Sequence, residues 1–370
     1  MTAAVASMEQ EQDLARGELH NPSNGAGETD LELPFDAPPA AEDVELIRSA
    51  KELYKAHNYE ECVAVLRRGG ASGIPAAHTL LGECFAQGKG VKQDWASAAK
   101  CYRVGAMLGD PLGAFRLAAC LQRDKGGTER NDKEALEWYQ KAGAAGVTEA
   151  LFRAGVICVD GKDLVSAMKL FLTAARNGHK GSAYNVAVLF QQISAVDKNA
   201  EAESVKWFMR SADRGSSRAL NALGRISQRR GNMPAAVEFW QKAAQKGNAK
   251  AMQNLAICYL KGEGVEANAV EAVRLFRNAA ELGNIPSQYN LSVCLLKGIG
   301  VEVPDAPEAL LWLQKSAEEG DPEGCLLYGN ILRRGESGAI KDEKLAHEYI
   351  SKAAALGNKA AQAALLHLEH

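Results

Sequence analysis

The sequence predicts an all-α fold, a solenoid of about nine antiparallel helix pairs. Three observations carry that expectation. A glycine recurs at Gly73, Gly109, Gly146, Gly178, Gly215, Gly247, Gly283, Gly320 and Gly357, in steps of 32 to 37 residues. Fifteen residues before eight of these glycines stands a residue that caps helices: Asn58, Asp94, Asn131, Asp163, Asn232, Asn268, Asp305 or Asp342. The ninth unit has Ala200 there, with Asn199 one place earlier. Seven or eight residues before the glycine comes a bulky side chain, among them Tyr102, Trp138, Tyr139, Phe171, Trp207, Phe208, Trp240, Phe276 and Trp312. A helix of constant length between a side-chain cap and a left-handed closing glycine accounts for all three. Neither helix of a pair can bury its apolar face alone, so the units must stack.

The elements follow in order. Residues 1–42 hold nine acids and one arginine, a net charge of −8. Gly25, Gly27, Pro34, Pro38 and Pro39 interrupt the segment, and Phe35 is its one aromatic. Too little apolar surface is present to offset the entropy of ordering, so a disordered acidic tail is expected. Within it Leu31–Asp36, LELPFD, is a small acidic and apolar patch. Residues 43–73 form the first helix pair. It lacks loop glycines and reads as a cap, with Leu46, Ile47, Ala50, Leu53 and Tyr54 facing Tyr59, Cys62, Val63 and Leu66. Residues 74–357 are eight repeats. The clearest copy is Ala251–Gly283. There Ala251, Leu255, Ala256 and Tyr259 make one helical stripe, and Ala272, Leu275, Phe276, Ala279 and Ala280 make the next. Gly262 and Gly264 break the chain between them, and Asn268 caps the second helix. Residues 358–370 supply a last, capping helix.

The stretch AMQNLAICYLKGEGVEANAVEAVRLFRNAAELGN resembles the Sel1-like repeat, a relative of the tetratricopeptide repeat. Leu81, Gly82, Gly88, Gly90, Val91, Asp94, Ala98, Tyr102 and Gly109 match the same pattern, as do Leu291, Gly298, Gly300, Val301 and Trp312. The resemblance runs from about Asp43 to the C-terminus. The units ending at Gly178 and Gly215 lack the Gly-x-Gly-Val loop and look more like plain tetratricopeptide repeats. The resemblance implies a right-handed superhelix whose first helices line the concave face, and a scaffold or adaptor role with no particular ligand.

Composition narrows the function further. The chain has 370 residues and a net charge of −3. Beyond residue 42 the balance is +5, too small for nucleic acid binding to be expected. No apolar run approaches 18 residues, and the N-terminus has neither a secretory nor a mitochondrial leader pattern, so a cytoplasmic or nuclear protein with no membrane partner is expected. Cys84, Cys120, Cys258 and Cys294 fall eleven residues after a closing glycine, where other units carry Ile157, Leu189, Ile226 and Ile331. Cysteine there replaces a buried aliphatic residue, so reduced thiols are expected. Cys84–Cys101 is the one plausible disulfide.

Catalytic motifs are missing. There is no nucleophile elbow, no His-Glu-x-x-His and no phosphate loop. Gly88-Lys89-Gly90 and Gly262-Glu263-Gly264 recur by repeat between helices and read as turns. His367 and His370 read as polar end residues. No enzyme, cofactor or metal is expected, and a helical-repeat hydrolase is the weakest alternative. A monomer is expected. The candidate recognition surface is the series seven residues after each closing glycine. Arg116, Arg153, Asn185, Asn254 and Asn290 form a ladder of guanidinium and amide groups along one phase. Amides offer donors and an acceptor to a peptide backbone, and guanidinium groups add carboxylate recognition. The partner expected is a protein or extended peptide, acidic in character. Two alternatives stay open: the asparagines bond the neighbouring repeat, or the acidic tail occupies the groove and self-inhibits a regulatory subunit.

Overall fold

The computed structural model describes residues 41–123, 129–193 and 198–366. Most of the acidic tail, including Leu31–Asp36, lies outside them, as do His367 and His370. The described residues form nineteen helices and no strand. The opening pair is α1 (Ala41–Lys55) and α2 (Tyr59–Ala71). Then come α3 (Pro75–Gln87) with α4 (Trp95–Met107), α5 (Pro111–Arg123) with α6 (Asp132–Ala144), and α7 (Thr148–Asp160) with α8 (Leu164–Arg176). The pair α9 (Ser182–Ile193) and α10 (Lys198–Asp213) follows. Next are α11 (Ser217–Arg229) with α12 (Met233–Gln245) and α13 (Ala249–Lys261) with α14 (Ala269–Glu281). The last are α15 (Ile285–Lys297) with α16 (Ala306–Glu318), α17 (Pro322–Arg334) with α18 (Glu343–Ala355), and α19 (Lys359–Leu366). Two compact units divide the chain, residues 1–207 and 208–370, and the boundary falls inside α10. Among the described residues consecutive helices pack on one another from α1 to α9 in the first unit and from α11 to α19 in the second, so each is a stack of pairs.

Local chemistry sets the helix ends. All nine closing glycines have positive φ, between 77° and 95°. The carboxylate or amide fifteen residues earlier accepts a backbone N–H at Asp94, Asn131, Asp163, Asn232, Asn268, Asp305 and Asp342. Asn58 departs from the series: it makes no cap bond and instead donates Nδ2 to Glu61 at 2.7 Å. Asn199 and Ala200 lie in the first turn of α10 rather than before it.

A second capping series stands one residue after the closing glycine. Asp110, Ser216, Asn248, Asn284, Asp321 and Asn358 each accept from the amide three residues on, at 2.7 to 3.2 Å. Each helix of these pairs therefore starts with its own acceptor.

The bulky positions separate into two kinds. The residue seven before the glycine is the core plug: Leu66, Tyr102, Tyr139, Phe171, Phe208, Trp240, Phe276, Leu313 and Ile350 are all essentially buried. Trp138, Trp207, Phe239, Trp312 and Tyr349, eight before it, stay half-exposed. Opposite the plug the first helix carries a small residue. A Cβ added at Gly82 would lie 2.7 Å from Tyr102, and one added at Gly155 would lie 2.6 Å from Phe171. Ala118, Ala187 and Ala256 take that slot elsewhere and are fully buried.

The loop glycines join neighbouring units. Gly88, Gly262 and Gly298 close α3, α13 and α15 in the left-handed conformation. The second glycine of each loop also presses on the start of the preceding unit's second helix. A Cβ at Gly90 would strike Tyr59, one at Gly264 would lie 2.6 Å from the Met233 carbonyl group, and one at Gly300 would strike the Ala269 carbonyl oxygen. Short connections solve the same turn differently: His57, Lys162 and Gly231 take positive φ just before the second helix.

Candidate functional site

The first helices α3, α5, α7, α11, α13, α15 and α17 each bury one stripe and leave another half-exposed. In the unit comprising residues 1–207, Arg116 sits on α5 and reaches back to Glu83 on α3, with Nε 2.5 Å from Oε1. Arg153 on α7 bonds Glu149 one turn earlier, at 2.8 Å. Glu149 also takes His179 Nε2 at 3.0 Å. Burial pushes the Glu149 carboxyl up, but the bonds from His179 and Arg153 outweigh it and hold the group below the usual carboxylate range. Asn185 on α9 is completely buried, so its side chain offers no surface to a ligand. Arg116 and Arg153 are thus partnered guanidinium groups on a half-exposed face, and Asn185 is interior.

In the unit comprising residues 208–370, Asn254 on α13 donates Nδ2 to Asn221 Oδ1 on α11, at 3.2 Å. This is the inter-repeat asparagine bond that the spacing left open. It uses one donor and leaves the second N–H and the oxygen of Asn254 unspent. Asn290 on α15 is half-exposed. Ile257 and Val293, one turn after these asparagines, are also half-exposed. An amide and an aliphatic side chain therefore alternate along this face.

One array has the connectivity of a nucleophile relay: Ser182 Oγ lies 2.8 Å from His179 Nδ1, and His179 Nε2 bonds Glu149. Its surroundings give it another task. Ser182 is fully buried. His179 Nδ1 also accepts the Ser182 amide at 3.1 Å, and the imidazole stacks on Phe152 at 4.4 Å. His179 follows Gly178 directly, so it fills the slot of the second capping series and accepts the amide of Ser182, the first residue of α9. Among the described residues, no group of His, Cys, Asp and Glu is placed to hold a metal ion.

Spacing alone did not single out a second cross-repeat contact, which occurs twice on the second helices. Arg103 on α4 pairs with Glu134 on α6 at 2.7 Å, and Trp138 Nε1 donates to the same carboxylate at 3.3 Å. Lys141 lies 4.1 Å over the Trp138 ring. Arg277 on α14, Glu308 on α16, Trp312 and Lys315 repeat the arrangement at the same phase. The bond from Arg277 holds the Glu308 carboxyl below its usual range. The signal was present as Arg six, Glu twelve and Trp eight residues before successive closing glycines.

All eight cysteines are free, and seven are buried. Burial, then the neighbouring Cys62 thiol, pushes Cys84 up to about 12. No described helix is long and apolar enough to cross a membrane.

Comparison with known proteins fits this architecture. A family profile described as the Sel1 repeat matches residues 75–110, 111–147, 148–179, 181–216, 217–248, 249–284, 285–321 and 322–358. A curated relative, chitin synthase regulatory factor 3 of Schizosaccharomyces pombe, is 27% identical over 293 residues, which is 77% of this chain and 28% of that protein. The chain thus spans just over a quarter of the relative's length. Among solved structures, a protective antigen of uropathogenic Escherichia coli strains displaying an SLR fold matches with TM-score 0.65 and 25% identity. That match covers 82% of this chain and 67% of the antigen. A Sel1 repeat protein from Oxalobacter formigenes matches with TM-score 0.65 and 23% identity, covering 85% of this chain and 98% of that one.

Proposed function

The chain belongs to the Sel1 repeat family, and from that premise we propose that it is a non-catalytic scaffold or adaptor that binds proteins along the half-exposed face of its first helices. The observation that carries this reading is the alternation of Asn254, Ile257, Asn290 and Val293 on one face of α13 and α15. Unspent amide groups suit a peptide backbone, and the aliphatic residues between them suit its side chains. Arg116 and Arg153 extend the proposal to an acidic partner, whose carboxylates would exchange with Glu83 and Glu149. The relative's description as a regulatory factor supports a regulatory form of the same activity, in which binding rather than chemistry controls an enzyme. A cytoplasmic location belongs to the same proposal.

Proximity labelling in cells supplies candidate partners, and Asn254→Ala then tests the face on the purified pair. Loss of a backbone contact should weaken binding by roughly 0.5–1.5 kcal/mol. A lower melting temperature with unchanged affinity would assign Asn254 to the Asn221 bond alone. Replacing Arg116 and Arg153 with Glu should abolish binding of an acidic partner while sparing a neutral one.

A further inference from the structure

A strong charge asymmetry falls in the stretch from α10 to α13. Residues 208–261 carry ten basic side chains against the two acids Asp213 and Glu238. All ten basic residues are exposed, including Arg214, Arg218, Arg229 and Lys250. At the edge where α10 ends and α11 begins, an open groove of ≈ 510 Å³ separates α10 from α12. Met209, Ala212, Leu220 and Phe239 line it, and Lys242, Lys246, Gln245 and Asp213 stand at its rim. Met209 leaves 42% of its surface in solvent, while Leu220 is buried. Lys242 pairs with Glu238 across one turn, with both side chains more than half exposed. That bond is weak and exchangeable.

An apolar slot with a cationic rim selects an acidic peptide with an apolar anchor. This chain contains one. Leu31, Leu33 and Phe35 alternate with Glu32 and Asp36, and Glu28 and Asp30 precede them. We propose that the groove between α10 and α12 docks the segment Leu31–Asp36 of a second copy of this chain. Phe35 or Leu33 enters against Met209 and Phe239, and the acids meet Lys242 and Lys246. The segment comes from another copy because few residues join Asp36 to α1, which begins at Ala41. A tether of five residues reaches about 17 Å. Within the unit of residues 1–207 the pairs α3–α4, α5–α6 and α7–α8 stack in turn after the α1–α2 pair, and every residue lining the groove falls after that unit. The interaction is separate from the amide face and survives if that face binds nothing.

The test uses the full chain and a synthetic peptide of residues 28–38 with a photoreactive benzoylphenylalanine in place of Phe35. The crosslink should map to α10 and α12. Lys242→Glu with Lys246→Glu should weaken peptide binding roughly tenfold, and raised salt should weaken it too. Sedimentation of the full chain should show concentration-dependent association that Leu33→Ser with Phe35→Ser removes. Both positions lie outside the described residues, and the variant's thermal melt should match that of the parent chain, which separates lost docking from misfolding. Crosslinks on the Arg116 or Asn254 face, or a chain that stays monomeric at all concentrations, would overturn the proposal. So would an RNA homopolymer that occupies the basic patch while peptide binding ignores Leu33 and Phe35, which would make the patch a general polyanion site.

Discussion

Single residues here act mostly between repeats, and Glu149 shows the energetics. It accepts from Arg153 in its own helix and from His179 at the start of the next pair. Its folded carboxyl titrates below the ordinary value of 4.5. A depressed acid stabilises the fold above its unfolded pKa, and that contribution is lost as pH falls through the folded value. Glu149→Gln should therefore lower stability at neutral pH by roughly 1–3 kcal/mol. Thermal melts of both proteins should converge as the medium is acidified below about pH 4. A gap that persisted unchanged into acid would show that charge is not what Glu149 supplies. Cys84 runs the other way. Burial keeps its thiol neutral up to about 12, against an ordinary 9.0. Stability from that thiol is complete below the unfolded value and is lost as alkali carries the pH through the folded one. At neutral pH the buried thiols should resist a thiol reagent until the chain unfolds, and non-reducing mass spectrometry should find no Cys84–Cys101 link.

Within the helix pair, two glycines with the same sign of φ do different work. Gly283 has φ +80° and open space where a Cβ would stand. Gly300 has φ +69° and the Ala269 carbonyl of the preceding repeat against it. Gly283→Ala should cost about 1–2 kcal/mol, the left-handed penalty alone. Gly300→Ala should add a further ~1–3 kcal/mol, because backbone rather than a flexible side chain must give way. Urea denaturation of the two variants separates these terms, and equal losses would refute the packing role of Gly300. This pair also marks how far the sequence could be read. Period, caps and closing glycines were legible because each is a local backbone requirement that recurs along the chain, the closing glycine nine times and the cap bond seven. The second capping series was legible in principle from the same alignment. The clash behind Gly300, the burial of Asn185 and the Glu83 bond of Arg116 were not. They depend on how one repeat rotates onto the next, and no spacing within a repeat encodes that rotation.

At the scale of the whole stack, the consequence is that no single core joins the described residues. The buried residues fall into separate clusters, each spanning neighbouring repeats: one around Tyr102 and Tyr139, another around Trp240 and Phe276, another around Leu313 and Ile350. Stability in such a stack is approximately a sum of unit and nearest-neighbour terms. Phe171 offers the sharpest test. It is fully buried, and Phe152 packs on it at 5.6 Å. Phe171→Ala should remove about 3–5 kcal/mol, the range for emptying an aromatic core position. In a globule with one core that loss would lower protection in every helix alike. Here hydrogen exchange should accelerate in α7 and α8, less in the flanking helices α6 and α9, and not at all in α16 to α18. A uniform rise across all nineteen helices would mean that the repeats unfold as one body and that the neighbour-only description is wrong.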